Sequence, residues 1–253
     1  MAVTGERIST PADGFNPTWQ RHVAAYALCA ELLPAGRTLD LGCGTGHSYE
    51  LLAPRETVGV DIDAEALAEQ DRETRVADMR DLPFPDRSFA GLISVQSIEH
   101  VPDPERVVAE AARVLEPDGV AVFVTPNRLT LPRPDEVVNP YHFVEFAPDE
   151  LESVCSPRFE EVRVRGLFGS ERYLEWDARR RQRVERVLRM DPLRLRRVIP
   201  RGMRQRLNDW KLARDRSGPD PRAASITVDD FELRESDVGG AIDVVGVCRR
   251  PRR

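Results

Sequence analysis

Three glycines at alternate positions, Gly42, Gly44 and Gly46, stand between two carboxylates, Asp40 and Asp61. They belong to the run Arg37-Thr38-Leu39-Asp40-Leu41-Gly42-Cys43-Gly44-Thr45-Gly46-His47. Leu39 and Leu41 read as the end of a buried strand, and Ser48 to Leu52 as the start of a helix. A strand feeding a glycine-rich turn and then a helix opens a nucleotide-binding βαβ unit. Glycine suits such a turn because the chain takes positive φ there and leaves bare backbone for a ligand to approach. The second strand, Val58 to Ile62, carries Asp61 about 20 residues past the first glycine. At that separation a βαβ unit presents a carboxylate to ribose hydroxyls.

The spacing narrows the ligand. A dinucleotide fingerprint is G-x-G-x-x-G; here the pattern is G-x-G-x-G, and His47 stands where the last dinucleotide glycine would be. With Asp40 before it and Asp61 after it, the pattern resembles the first motif of the class I S-adenosylmethionine-dependent methyltransferases. That cofactor has no phosphate but carries an ammonium and a sulfonium, and a carboxylate such as Asp40 near the turn suits those cations. The resemblance runs from about Thr38 to Asn127. It implies S-adenosylmethionine as cofactor, held by Asp40, Gly42, Gly44, Gly46, Asp61 and Ile62. It also implies that Asp78 accepts the adenine amino group, that Met79 offers its backbone amide to the ring, and that Gln96 begins a loop contacting the methionine part.

Further segments agree. Leu82-Pro83-Phe84 followed by Asp86, Ser88 and Phe89 resembles the L-P-F-x-D-x-S-F-D segment of small-molecule methyltransferases, with Ala90 in place of its final Asp. Leu115-Glu116-Pro117-Asp118-Gly119 resembles the family's L-K-P-G-G turn. Thr125-Pro126-Asn127-Arg128, Asn139-Pro140-Tyr141-His142, Glu145-Phe146 and Glu150-Leu151 resemble a subgroup associated with sugar or glycan methylation.

Methyl transfer to an oxygen requires an acceptor held at near-attack distance and a group to take its proton. A histidine is the natural base near neutral pH. Of the four histidines, His22 and His47 read as structural. His100 follows the fourth strand and His142 lies in the loop after the fifth, so these two are the candidate bases, with Glu145 able to orient a histidine or a sugar hydroxyl. Each can equally be an ordinary hydrogen-bonded loop residue.

These residues need a scaffold. Pro17 to Leu33 reads as a helix, with Trp19, His22, Val23, Tyr26, Ala27 and Ala30 at helical spacing. A short helix over Ala64 to Gln70 and a strand over Thr74 to Met79 follow. The nearly all-apolar run Phe89 to Ile98 reads as a strand covered on both faces. A helix over Pro104 to Leu115, a strand over Val120 to Val124, a helix over Pro148 to Val154 and a strand over Phe159 to Leu167 come next. Ile226 to Leu233 and Ala241 to Cys248 are the last candidate strands.

Alternating strands and helices predict an α/β, Rossmann-like sheet, mostly parallel and covered on both sides. By resemblance it has seven strands, with an antiparallel last strand, Ala241 to Cys248, inserted beside the fifth. The chain divides as a single methyltransferase domain over 1–253. It comprises an N-terminal arm and helix over 1–36, a cofactor-binding half over 37–127, and the rest of the sheet with an acceptor-side loop over 128–170 and 241–253. A helical, arginine-rich insertion spans 171–240, expected beside the acceptor cleft.

Composition excludes several classes. With 41% hydrophobic and 32% charged residues, the 253-residue chain describes a globular protein with one sizeable core. It has no apolar run of about 18 residues, and no apolar signal-peptide core near Met1. The four cysteines are scattered and make no C-x-x-C pair, so a disulfide framework and a structural zinc are not expected, no metal is assigned, and a reducing cytoplasm fits.

Net charge is -6, yet Glu171 to Arg216 holds sixteen basic residues against seven acids. Arginines interleaved with acids on helices usually form a solvated face, and stacking aromatics are few there, so nucleic acid is a disfavoured partner. There is also no base-flipping motif after the fourth strand. The expected acceptor is a small molecule, first a sugar or glycan. The alternatives are a quinone or lipid acceptor, or an RNA-binding or RNA-modifying protein using the arginine-rich insertion. The sequence leaves the oligomeric state open.

Overall fold

The computed structural model describes residues 17–252 apart from 48, 69, 192 and 215–224. The polar N-terminal arm and the turn Ser217 to Pro221 therefore lie outside the described residues.

Among the described residues eight strands form one sheet: β1 (Thr38–Leu41), β2 (Thr57–Asp61), β3 (Glu73–Val76), β4 (Phe89–Val95), β5 (Leu115–Pro126), β6 (Phe159–Gly169), β7 (Phe231–Arg234) and β8 (Asp243–Pro251). Their order is β3-β2-β1-β4-β5-β8-β6-β7. The first five pair in parallel. Strand β8 runs antiparallel to both β5 and β6, and β7 runs antiparallel to β6.

The expectation of seven strands is thus corrected to eight. The extra strand is β7, four residues on the outer edge inside the segment read as a helical insertion. A 3-10 turn over Val228–Asp230 precedes it, so the continuous strand expected from Ile226 is shorter.

Helices cover both faces. Helix α1 (Pro17–Ala30) brings small side chains, Ala24, Ala25, Cys29 and Ala30, close against the sheet beside Ile93, Val122, Val124 and Val245. Its C-terminal end faces a cation: the Arg55 guanidinium donates to Ala30 O at 2.8 Å, which also suits the helix dipole, and to Leu33 O just beyond the helix at 2.9 Å. Helix α3 (Pro104–Val114) starts with Pro at its first turn and buries Val107, Val108, Ala111 and Ala112 on the opposite face. Helix α4 (Pro148–Cys155) adds Leu151 and Cys155 to that side. Successive residues of β5 alternate between the two layers, with Val120, Val122 and Val124 on one side and Ala121 and Phe123 on the other.

Two short helices are shorter than their sequences suggest. Among the described residues, the segment after Gly46 holds a 3-10 turn over Glu50–Leu52, which Pro54 ends at once. Helix α2 covers only Ala64–Leu67. Within the insertion lie α5 (Glu171–Arg189), a 3-10 turn over Leu195–Val198, and α6 (Arg201–Arg214).

Candidate active site

The carboxyl ends of the five parallel strands, together with the start of β8, converge on one edge of the sheet. At that edge β1 runs into the glycine turn. Gly42 and Cys43 both donate to Val60 O, at 2.8 and 3.0 Å. Gly42, Gly44 and Gly46 take φ of +75°, +54° and +79°, a region that L side chains rarely enter. A Cβ on Gly42 would stand 2.3 Å from Ser97 Oγ, whereas one on Gly44 would meet nothing within 4 Å. The turn is therefore closed against the β4 loop at its base and open at its crest. Burial pushes the Cys43 thiol up to about 12, which leaves it protonated and inert.

Asp61 ties β2 to the turn: its Oδ2 accepts from Gly44 N at 2.9 Å and its Oδ1 from Asp63 N at 2.9 Å. Beside it, apolar Ile62 and Val76 are 74% and 57% exposed, an uncovered greasy lip next to bare backbone. Asp78 stands beyond β3. Its carboxylate is bracketed by Arg80, which donates from Nη2 at 2.7 Å and Nε at 3.0 Å, and these bonds hold it below the usual carboxylate range. Met79 is half-buried, its methyl near Gly42.

Asp40 is placed differently from a carboxylate facing a ligand. It is fully buried behind the turn, where Oδ2 accepts from Arg72 Nη2 at 2.7 Å and Oδ1 from the Tyr26 hydroxyl at 2.9 Å. His47 packs under α1, its ring 4.7 Å from Trp19 and 5.5 Å from Tyr26, and burial lowers its pKa. His22 Nδ1 is 2.8 Å from Thr18 O, within α1.

The loop after β4 begins at Gln96, in left-handed backbone at φ +53°. Its side chain turns to β8, where Nε2 donates to Asp243 Oδ1 at 2.9 Å. Arg21 of α1 donates to the same oxygen at 2.7 Å. Burial raises the Asp243 pKa, with Arg21 and Gln96 pulling it down. No sequence pattern links Arg21, Gln96 and Asp243, so this node is visible only in the fold.

The same loop continues into Glu99 and His100, and here it meets the loop after β5. Phe143 N donates to Glu99 O at 2.8 Å. The His100 and His142 rings sit 5.0 Å apart, edge to face at 82°. His142 Nδ1 is 3.0 Å from Glu145 Oε1, and its Nε2 is 2.8 Å from Asn139 Nδ2. Glu99 is wholly buried and accepts from the Thr125 hydroxyl at 3.0 Å. Burial pushes its pKa up, with His100 and His142 opposing. The sequence reading named His100, His142 and Glu145 but passed over Glu99, although it directly precedes His100.

The arginines of the insertion do not all face solvent. Arg201 donates to Pro140 O at 2.9 Å and Tyr141 O at 2.6 Å, and its guanidinium lies 3.3 Å from the Phe143 ring centroid. Arg181 donates to Thr130 O at 2.7 Å, and Arg196 pairs with buried Glu136 at 2.6 Å. Helices α5 and α6 thus brace the loop that carries His142.

Among the described residues, no helix is long and apolar enough to cross a membrane. The four cysteines are free and buried.

Comparison with known proteins sets this geometry in a family. Residues 39–123 match the family model described as a methyltransferase domain. A probable S-adenosylmethionine-dependent methyltransferase of Mycobacterium tuberculosis is 32% identical over 99% of this chain and 90% of its own length. A phosphatidylethanolamine N-methyltransferase of Cereibacter sphaeroides is 40% identical, over 35% of this chain and 50% of its own. Among solved structures, a possible histamine N-methyltransferase from Thermotoga maritima superposes with a TM-score of 0.58, at 19% identity over 91% of both chains, a likeness of fold. The open glycine crest, the Asp61 tether and the uncovered apolar lip fit an adenosyl group, and the chain belongs to the S-adenosylmethionine-dependent methyltransferases, with S-adenosylmethionine as its cofactor.

Proposed function

We propose that the chain methylates an oxygen of a small hydroxylated acceptor, a sugar or glycan being the first choice. The cofactor, when bound, supplies the electrophilic methyl group. Gly42, Gly44, Gly46, Asp61 and Ile62 would hold it, with Asp78 and Met79 at the adenine and Gln96 toward the methionine part. Asp40 would act from behind, by fixing the turn. The acceptor would lie at the same edge, over the loops after β4 and β5.

One observation carries this reading: the His142–Glu145 pair stands against His100 and Glu99 at that edge. A carboxylate-oriented imidazole is a competent proton acceptor for a hydroxyl. Asn139 and Tyr141 of the same loop add hydroxyl-binding groups. An acceptor screen with labelled cofactor, run over sugars, quinones and total RNA, tests it. Methylation of a sugar hydroxyl is the expected result, and methylation of RNA alone would refute the small-molecule reading. The four free, buried thiols suit a reducing cytoplasm.

A lipid or quinone acceptor is the second reading. Met190, Leu193, Val198 and Trp210 are 62–82% exposed among the arginines of the insertion, a surface compatible with lipid. The partial likeness to a phosphatidylethanolamine N-methyltransferase points the same way.

A further inference from the structure

We infer that Glu99, His100 and His142 form a binding site for a divalent first-row transition-metal ion, with Glu145 orienting one of the ligands. One carboxylate oxygen of Glu99 and one ring nitrogen from each histidine lie within 4.8 Å of one another. Ligands about 2.0–2.2 Å from a common ion sit closer together than this, so binding draws the three inward.

The second observation is the state of the carboxylates. Glu99 is 0% exposed, and while Oε2 accepts from Thr125, Oε1 has no hydrogen-bond partner. Glu145 Oε2 is likewise buried without one. An unsatisfied buried carboxylate oxygen is costly, and a cation relieves it.

The third is the histidine tautomer. A carboxylate only accepts, so His142 Nδ1, 3.0 Å from Glu145, carries the hydrogen. Its Nε2 is then a lone pair, and Asn139 Nδ2 donates to it at 2.8 Å. A carboxylate behind an imidazole, leaving the far nitrogen basic, is the usual support of a metal-bound histidine. An ion arriving at Nε2 displaces the Asn139 amide. The bond from Phe143 N to Glu99 O fixes the two loops against each other, so the ligands are held by backbone and not by chance contact.

Two imidazoles and one carboxylate suit Mn²⁺, Co²⁺ or Zn²⁺ better than Mg²⁺ or Ca²⁺. Three protein ligands leave positions open for acceptor oxygens. This role rests on the hydroxyl-acceptor reading. A hydroxyl coordinated there is acidified and releases its proton to solvent. With the ion bound the two imidazoles serve as ligands, and without it His142 is the proton acceptor proposed above.

Titration of metal-free protein with Mn²⁺, Co²⁺ and Zn²⁺ by calorimetry, with Co²⁺ followed also by its visible absorption, tests the site directly. The expected result is saturable binding of one ion, weakened at least about tenfold in both Glu99→Gln and His142→Ala. S-adenosylmethionine binding, measured on the same variants, should be retained and reports that they are folded. Absence of saturable binding by the unaltered protein, or equal affinity in both variants, overturns the site. Undiminished methylation of a hydroxyl acceptor in the presence of a chelator would also overturn it, while keeping the acceptor reading. Binding of the ion without methylation of any hydroxyl would keep the site and remove the reading.

Discussion

Arg72 Nη2 lies 2.7 Å from Asp40 Oδ2, and the two side chains are 2% and 0% exposed. With the Tyr26 hydroxyl on the other oxygen, Asp40 joins α1, the end of β1 and the approach to β3 beneath the glycine turn. Removing one partner of a buried pair leaves the other charge uncompensated. Asp40→Ala should therefore destabilise the protein by about 3–5 kcal/mol, read as a fall in the urea midpoint. An unchanged midpoint would show that the pair contributes nothing.

Asp61 makes the opposite case. It is partly exposed, it tethers Gly44 N, and it faces the open crest of the turn. Asp61→Ala should weaken S-adenosylmethionine binding by roughly 10- to 100-fold, the worth of hydrogen bonds to a charged group, measured by calorimetry. Asp61→Asn, which keeps one acceptor oxygen, should fall between. A change under about twofold in Asp61→Ala, against that worth, would take Asp61 out of the binding site.

His142→Ala should lower kcat by about 10²–10⁴-fold and leave cofactor affinity nearly intact. Because Glu145 acts through His142, Glu145→Gln should add little to a chain already lacking the imidazole. Steady-state kinetics on the two single variants and the double variant would show additive losses if the residues worked independently.

Arg201→Ala removes two bonds to loop carbonyls and the cation over Phe143. The loop holding His142 should then open more often, with a rise in KM and faster amide exchange over 139–144. Global stability should move by only about 1–2 kcal/mol. Unaltered exchange in that segment would mean that α6 does not brace the loop.

Burial lifts the Glu99 pKa above its ordinary 4.5. The folded state then binds a proton that the unfolded chain has released, so this group lowers stability as pH rises from about its unfolded value through its raised folded one. Glu99→Gln should remove that slope. Thermal melts at a series of pH values should show the variant gaining on the unaltered protein as pH climbs from 4.5 upward. A constant difference across that range would count against a raised Glu99.

The scaffold was legible wherever burial writes itself into composition. The apolar runs of β4 and β5 and the strand at Ala241 to Cys248 stand out because strands covered on both faces must be apolar throughout. The glycine turn was legible because positive φ at Gly42, Gly44 and Gly46 demands that residue type. Edge strand β7 was blurred, since four residues with one covered face carry little pattern.

The tether from Asp61 to the glycine turn and the contact between His142 and Glu145 were accessible from local spacing. The partners of Asp40 were not: Tyr26 and Arg72 lie 14 and 32 residues away and carry no local mark. The same holds for Arg21 and Asp243, separated by 222 positions. The arginines of α5 and α6 read as solvated because composition cannot distinguish an arginine in water from one donating to a loop carbonyl.

Strand β8 is the eighth in chain order, yet it lies in the sheet between β5 and β6, neither of which pairs with the other. During synthesis both β5 and β6 must therefore wait with an open edge until β8 has emerged from the ribosome. Open strand edges invite pairing with other chains. The waiting interval covers α5 and α6. When β8 arrives it also delivers Asp243 to Arg21 and Gln96, so the earliest and latest described segments join at the carboxyl edge of the sheet. A nascent chain stalled before β8 would carry the glycine turn complete and that edge unfastened.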